Sequence, residues 1–287
     1  MHYNRPMCGR FVSPSERAIE AYWQIGRANM PPLFEQSRDR HNVAPQQGNP
    51  DNYIPIVRQN DAGELEVARV QWWLLPAWNK GRMLDFPTFN ARVESVKDKP
   101  AFRDSLRFRR CVIPAKGWYE WQELKAGNLP WYLHGAKGEE IIHFAGLWAR
   151  WTDRASGETV DSCAIIVGPA NKRFWDLHDR MPFLLDRDTA QAWMDRSLTD
   201  ADKALALLQV NPEDSVAWHR VGMKVNKAGP DNQGADLAEA LTPEDIERER
   251  IEIESKARRA EPDQPKAKRP KLKAPTGPDL FSDEPPF

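Results

Sequence analysis

Hydrophobic residues between Met7 and about Ala228 fall into short runs broken by Pro and Gly rather than into long periodic stretches, and no segment repeats. Runs of that length, rich in β-branched and aromatic residues, predict strands over 54–58, 65–75, 110–113, 141–151 and 162–167. Helical spacing predicts helices over 15–22, 173–176 and 187–194, with Asp188 and Thr189 as candidate caps for the third. Many short strands interspersed with a few helices make an α+β pattern. Residues 7–241 are expected to form one domain.

The pattern changes after Leu241. The run Thr242-Pro243-Glu244-Asp245 is a helix start, with a capping hydroxyl, proline in the first turn and acids where the helix dipole favours them. This helix is predicted to reach about Ala260. Its faces carry Ile246, Ile251 and Ile253 among many charges, so it is either a surface helix or one that forms against a partner. Residues 261–287 are first Pro- and Lys-rich and then acidic, a composition that predicts disorder. Residues 1–6 show no structural pattern and are expected to be absent from, or removed from, the working protein.

Composition narrows the function classes. With 287 residues and 40% hydrophobic content the chain can bury a sizeable core. The formal net charge of -1 averages a basic stretch near the C-terminus against acidic segments elsewhere, so it neither supports nor excludes a nucleic-acid partner. Twelve tryptophans suit a core, and some suit stacking on unpaired bases. Only Cys8, Cys111 and Cys163 occur, without paired metal-ligand spacing, so neither a metal nor another cofactor is expected. No apolar run approaches the ~18 to 20 residues that cross a bilayer, and the start lacks a signal-peptide core. A cytoplasmic protein with reduced thiols is expected, nucleoid-associated if bacterial, with no membrane partner.

Five separated segments carry the candidate chemistry. They are Met7-Cys8-Gly9-Arg10-Phe11, Asn42-Val43-Ala44-Pro45, Asn90-Ala91-Arg92-Val93-Glu94, Pro114-Ala115-Lys116-Gly117-Trp118-Tyr119-Glu120-Trp121 and Leu177-His178-Asp179-Arg180-Met181-Pro182. In this order they resemble the SRAP family of abasic-site processing proteins, over roughly 7–237. Taken alone, Cys8 would read as a buried strand cysteine, Glu120 as a surface carboxylate, His178 as a helix-end residue paired with Asp179, and the arginines as a solvated face. Glu120, flanked by Tyr119 and Trp121, reads better as a pocket carboxyl with a raised pKa.

The resemblance implies a domain with a mainly antiparallel, barrel-like β core and flanking helices. It also implies that Cys8 becomes N-terminal, bearing an α-amine and a thiol on adjacent carbons. An abasic site in single-stranded DNA presents an aldehyde when its sugar opens; the amine condenses with it to an imine and the thiol closes a five-membered thiazolidine. By the same resemblance Glu120 shuttles protons and His178 assists sugar opening. Asn90 and Arg92 hold the sugar and a phosphate, Arg10 is a phosphate ligand, and Pro45, Trp72, Trp73, Trp78 and Trp121 lie in segments that contact DNA, with one or two of Trp72, Trp73 and Trp78 expected in the core. Trp73 stands where the family usually has glycine, and Val167 and Gly168 stand where it usually has threonines.

A thiazolidine cannot form while the Cys8 nitrogen is in a peptide bond. Either translation begins at Met7 and that residue is removed, or the protein cleaves its own Met7–Cys8 bond; the start-site explanation is the simpler. Two other activities stay open at this stage, a thiol peptidase using Cys8 with His178 as base, and a non-covalent single-stranded-DNA module. The tip Ser282-Asp283-Glu284-Pro285-Pro286-Phe287 resembles the acidic end of the bacterial single-stranded-DNA-binding protein, and Pro278-Asp279-Leu280-Phe281 resembles part of a sliding-clamp peptide. Either would recruit replication or repair proteins. The alternative is a solvated tail with no partner, its basic run from Lys256 to Lys273 holding DNA non-specifically or not at all.

Overall fold

The computed structural model describes residues 8–26, 31–34, 38–47, 53–124, 127–229 and 231–260. In chain order the elements are β1 (Phe11–Ser13), α1 (Glu16–Trp23), β2 (Arg40–Val43), β3 (Tyr53–Gln59), β4 (Leu65–Trp72), β5 (Asn90–Arg92), α2 (Arg103–Phe108), β6 (Arg110–Ala115), β7 (Gly117–Leu124), β8 (Gly127–Gly135), β9 (Ile142–Thr152), β10 (Thr159–Pro169), β11 (Arg180–Pro182), α3 (Arg187–Met194), α4 (Ala201–Leu205), β12 (Val216–Arg220) and α5 (Pro243–Ala260). The strands β10, β4, β3, β6 and β9 pair in that order, and β9 pairs back to β10, which closes a five-stranded barrel. Strands β5 and β11 extend it at β10. A second sheet runs β12-β8-β7-β1-β2. All pairings are antiparallel except those of β10 with β4 and β5.

The two-residue period of each strand sorts its side chains between two cores. Ile54, Ile56, Val70, Trp72, Cys111, Ile113, Cys163, Ile165 and Val167 gather with Phe11, Trp118, Leu133 and Val216 of the second sheet. The intervening Val57, Val67, Val112, Ala145, Leu147, Ala164 and Ile166 gather with Ile19, Trp23, Leu106, Trp193 and Ala204 of the helices. With both faces covered, these strands read as near-continuous apolar runs, which is why they were legible in sequence. Within the second sheet, β7 and β8 approach closely where β7 begins. A Cβ on Gly117 would lie 2.3 Å from the Leu133 carbonyl oxygen and 2.5 Å from the Tyr132 ring, so only glycine fits.

The helices are held by caps and by one buried cation. Ser15 caps α1, its side chain accepting from the Ala18 amide, a device worth ~1 kcal/mol. The cap of α3 is Asp186, which accepts from the Thr189 amide, and not Asp188 or Thr189; Asp188 instead sits in the first turn as an acid. Thr242 caps α5 as its sequence predicts, accepting from the Asp245 amide. Arg110, a residue of β6, is buried and donates to the carbonyls of Leu106, Arg107, Trp193, Asp195 and Leu198, fastening the ends of α2 and α3 to the barrel.

Other boundaries differ from the expected ones. The segment predicted as a helix over 173–176 is a 3-10 turn over Lys172–Phe174, and β4 stops at Trp72 because the chain turns at Trp73, whose amide donates to the Gln71 carbonyl. Strands β1, β5 and β11 are three residues each, too short to show a period. No helix among the described residues is long and apolar enough to cross a membrane. The expectations for residues 1–7 and for the tail 261–287 lie outside the described residues.

Candidate active site

Strand β1 runs antiparallel to β7, with Phe11 opposite Trp118 and the Tyr119 amide donating to the Arg10 carbonyl. That register carries the chain leading into β1 alongside Glu120, 112 residues away. Cys8 is 1% exposed, has φ 43°, and donates its backbone N–H to Glu120 Oε1 at 3.0 Å. A positive φ is unusual for a residue with a side chain and is sustained here by the burial and hydrogen bond around it.

Burial dominates the electrostatics. Glu120 is 2% exposed, and desolvation pushes its carboxyl up to about 8; the Asp179 carboxylate adds to the rise and the Cys8 N–H bond opposes it. Desolvation, reinforced by the Glu120 charge, also drives the Cys8 thiol well above its ordinary range. Near neutral pH the pair therefore holds its protons, the carboxyl poised to exchange one and the thiol uncharged.

His178 follows the 3-10 turn, where its amide bonds the Phe174 carbonyl and Leu177 packs on the cluster that contains Cys8. The Arg180 amide donates to His178 Nδ1 at 3.1 Å. A backbone N–H can only donate, so neutral His178 carries its ring proton on Nε2. Asp179 lies 3.2 Å from the same Nδ1, a contact that becomes an ion pair when the ring is protonated. The Asp179 charge also reaches Glu120, so the residue next to His178 in the chain lies within electrostatic range of that carboxyl.

The barrel end supplies the rest. Strand β5 pairs in parallel with β10, placing Asn90 opposite Ile165 and Arg92 opposite Val167, and β11 closes the other side of β10 with Pro169 opposite Arg180. Arg180 pairs with Glu94 just beyond β5. Asn90, Arg92 and Arg180 are thus gathered about the end of β10. Gly168 in that strand is closely packed, since a Cβ would lie 2.5 Å from the Phe183 ring. A threonine at that position would require the Phe183 ring to move.

The family model described as SOS response associated peptidase (SRAP) matches residues 7–228. The chain belongs to this family. Its similarity to SRAP relatives runs through the whole domain: Abasic site processing protein YoqW of Bacillus subtilis is 32% identical over 239 residues, spanning 82% of this chain and 100% of that protein. Abasic site processing protein HMCES of Xenopus tropicalis is 28% identical over 211 residues, 66% of this chain and 62% of its own length. The crystal structure of a protein from Bacteroides thetaiotaomicron superposes with a TM-score of 0.65 at 22% identity, covering 81% of this chain and all of that one, a likeness of fold.

In this SRAP domain the other expected DNA residues separate into distinct environments. Trp72 is fully buried, edge-on to Phe11 and Phe89 with its Nε1 donating to the Phe89 carbonyl, so among Trp72, Trp73 and Trp78 it is the one wholly in the core, and its place among the DNA-contacting residues is corrected. Trp73 is partly buried against Phe89, and Trp78 is half exposed with Nε1 on the Pro100 carbonyl. Arg10 donates to Asn42 Oδ1 and to the Val225 and Asn226 carbonyls, and its guanidinium lies over the Trp121 ring, whose Nε1 bonds Asn226. Pro45 follows β2 at the edge of the second sheet and is partly buried. Sequence reasoning passed over Arg180, although the spacing His178-x-Arg180 on a strand start would have put both side chains near one another. It also passed over Trp131, which stands opposite Glu120 across β7 and β8.

Proposed function

We propose that this protein captures abasic sites in single-stranded DNA by forming a thiazolidine with Cys8 once that residue is N-terminal. The observation that carries the reading is the 3.0 Å bond from the Cys8 nitrogen to a buried carboxyl whose pKa stands near 8. A freed Cys8 nitrogen is an ammonium, and a nucleophilic amine requires that one proton leave. The ammonium and the Glu120 carboxyl titrate as a coupled pair: in the ionised form Glu120 accepts the ammonium's proton, and the amine beside a protonated carboxyl that results is the nucleophilic form.

The order of steps follows from the protonation states. The buried thiol is uncharged, so the amine attacks first. It adds to the aldehyde carbon of the opened sugar, the carbinolamine loses water to give the imine, and Glu120 returns the proton that the departing hydroxyl needs. The sulfur then adds to the imine carbon while its proton passes to the nitrogen. The net change is one C–N bond, one C–S bond and one released water. His178, with its proton on Nε2, is suited to donate to the ring oxygen as the sugar opens. Asn90, Arg92 and Arg10 are assigned to the sugar and its phosphates, and Trp73 and Trp121 to the neighbouring bases. Relatives named as abasic site processing proteins support the substrate class.

The test is a denaturing gel with single-stranded DNA bearing one abasic site. A chain beginning at Cys8 should give a denaturant-resistant adduct, absent with intact DNA and absent for Cys8→Ala. A normal adduct yield from Cys8→Ala would remove the proposal in favour of another nucleophile.

A further inference from the structure

We infer that Trp175 is a stacking platform for a base of the strand flanking the lesion, an inference that rests on the function proposed above. Trp175 is 62% exposed, more than Trp78 at 49%, and it lies three residues before His178. It is not a loose side chain. Its Nε1 donates to the Ala170 carbonyl at 3.0 Å, and Ala170 is itself buried and bonded through its amide to the Asp179 carbonyl.

The turn beneath it is fastened from both ends. Asn171 accepts from the Phe174 amide and donates to the carbonyls of Asn211 and Pro212, while Phe174 is buried edge-on against Trp218 at 5.8 Å. The indole is therefore held with most of its surface in water, where a large apolar ring gains nothing for folding. Pre-organised exposed rings are what sequence-tolerant base stacking uses.

Charge on the turn is mixed. Lys172 and Arg173 are exposed, Arg173 stacked over Trp218 at 4.5 Å with Nη1 on the Glu213 carbonyl, and Asp176 and Asp179 are exposed beside them. A turn with two cations and two carboxylates has little net attraction for a phosphate chain, so the platform works through the ring face. Since this turn leads directly into His178, a strand whose opened sugar is held at His178 has its flanking nucleotides within reach of the turn, and a flanking base is the occupant that an exposed indole fits.

The experiment titrates the full chain, at several salt concentrations, with single-stranded oligonucleotides carrying a stable abasic analogue that has no aldehyde. Trp175→Ala should bind about 10-fold more weakly, Trp175→Phe within about 3-fold of the native protein, and all three should share one slope of log affinity against log salt. Removing the nucleotides on one side of the analogue should erase the difference between native and Trp175→Ala, and removing those on the other side should preserve it. Equal affinity for native and Trp175→Ala would overturn the inference. So would an equal loss in Trp175→Phe, which would point to the Nε1 bond, or a changed salt slope, which would point to charge. Crosslinking of an otherwise native chain beginning at Cys8 to a reactive abasic oligonucleotide, run alongside, separates the two ideas: absence of adduct with a Trp175→Ala binding defect fails the chemistry and keeps the platform, and adduct without that defect does the reverse.

Discussion

Replacing Glu120 by Gln keeps the shape of the side chain and an amide oxygen to accept the Cys8 N–H, and removes only the ionisation. In the folded protein this carboxyl is raised to about 8 from 4.5, with burial the main cause. A carboxyl raised on folding stabilises the native state fully below its unfolded pKa, and that contribution is lost as pH climbs through the folded value. From about pH 5 to about 8 the unfolded chain ionises Glu120 while the folded chain resists. Each pH unit in that window should lower native stability by a little over 1 kcal/mol, reaching roughly 4 kcal/mol by its upper end. The assay is urea unfolding of the full chain and of Glu120→Gln at closely spaced pH values, read as the difference between the two. His143, whose pKa burial depresses to about 4, titrates in both proteins and cancels from that difference. The variant should gain on the native protein steadily across the window. A difference that stays flat from pH 5 to 8, or that runs the other way, would refute the claim that Glu120 is held protonated by burial.

Three further outcomes are expected. His178→Ala should slow single-turnover crosslinking by ~10² or more while DNA affinity holds, measured by quenched time courses; an unchanged rate removes its proton-transfer role. Arg92→Ala should weaken binding and make the salt slope shallower by about one, the mark of one lost phosphate contact, and an identical slope would contradict that assignment. Gly168→Thr, which restores the residue usual in the resemblance, should destabilise the domain by at least ~1 to 3 kcal/mol because its Cβ meets the Phe183 ring at 2.5 Å. An unshifted urea midpoint would show that Phe183 yields without strain.

Much of this was written locally in the chain. The runs that became β3, β4, β6, β9 and β10 are buried on both faces and announce themselves by composition, and the Thr242 cap of α5 is where its motif puts it. Strand β8 did not announce itself, because Pro130 interrupts it and Trp131, Tyr132 and His134 give it no alternation. The motifs placed Cys8 and Glu120 in one site, but their contact is a product of the β1–β7 register across 112 residues. The fate of neighbouring tryptophans was likewise invisible. Trp72 and Trp73 are adjacent in sequence, and only the end of β4 sends one wholly into the core and leaves the other partly exposed. The exposure of Trp175 depends on a 3-10 turn where a helix was expected.

The central claim is that the nitrogen and sulfur of Cys8 both bond to the lesion. Its most direct test is mass spectrometry of the crosslinked peptide after digestion of protein and DNA. The account predicts that the modified peptide begins at Cys8, carries the sugar remnant with one water lost, and has no free thiol at that residue. A remnant on a lysine, or on a peptide that still contains Met7 joined to Cys8, would contradict it.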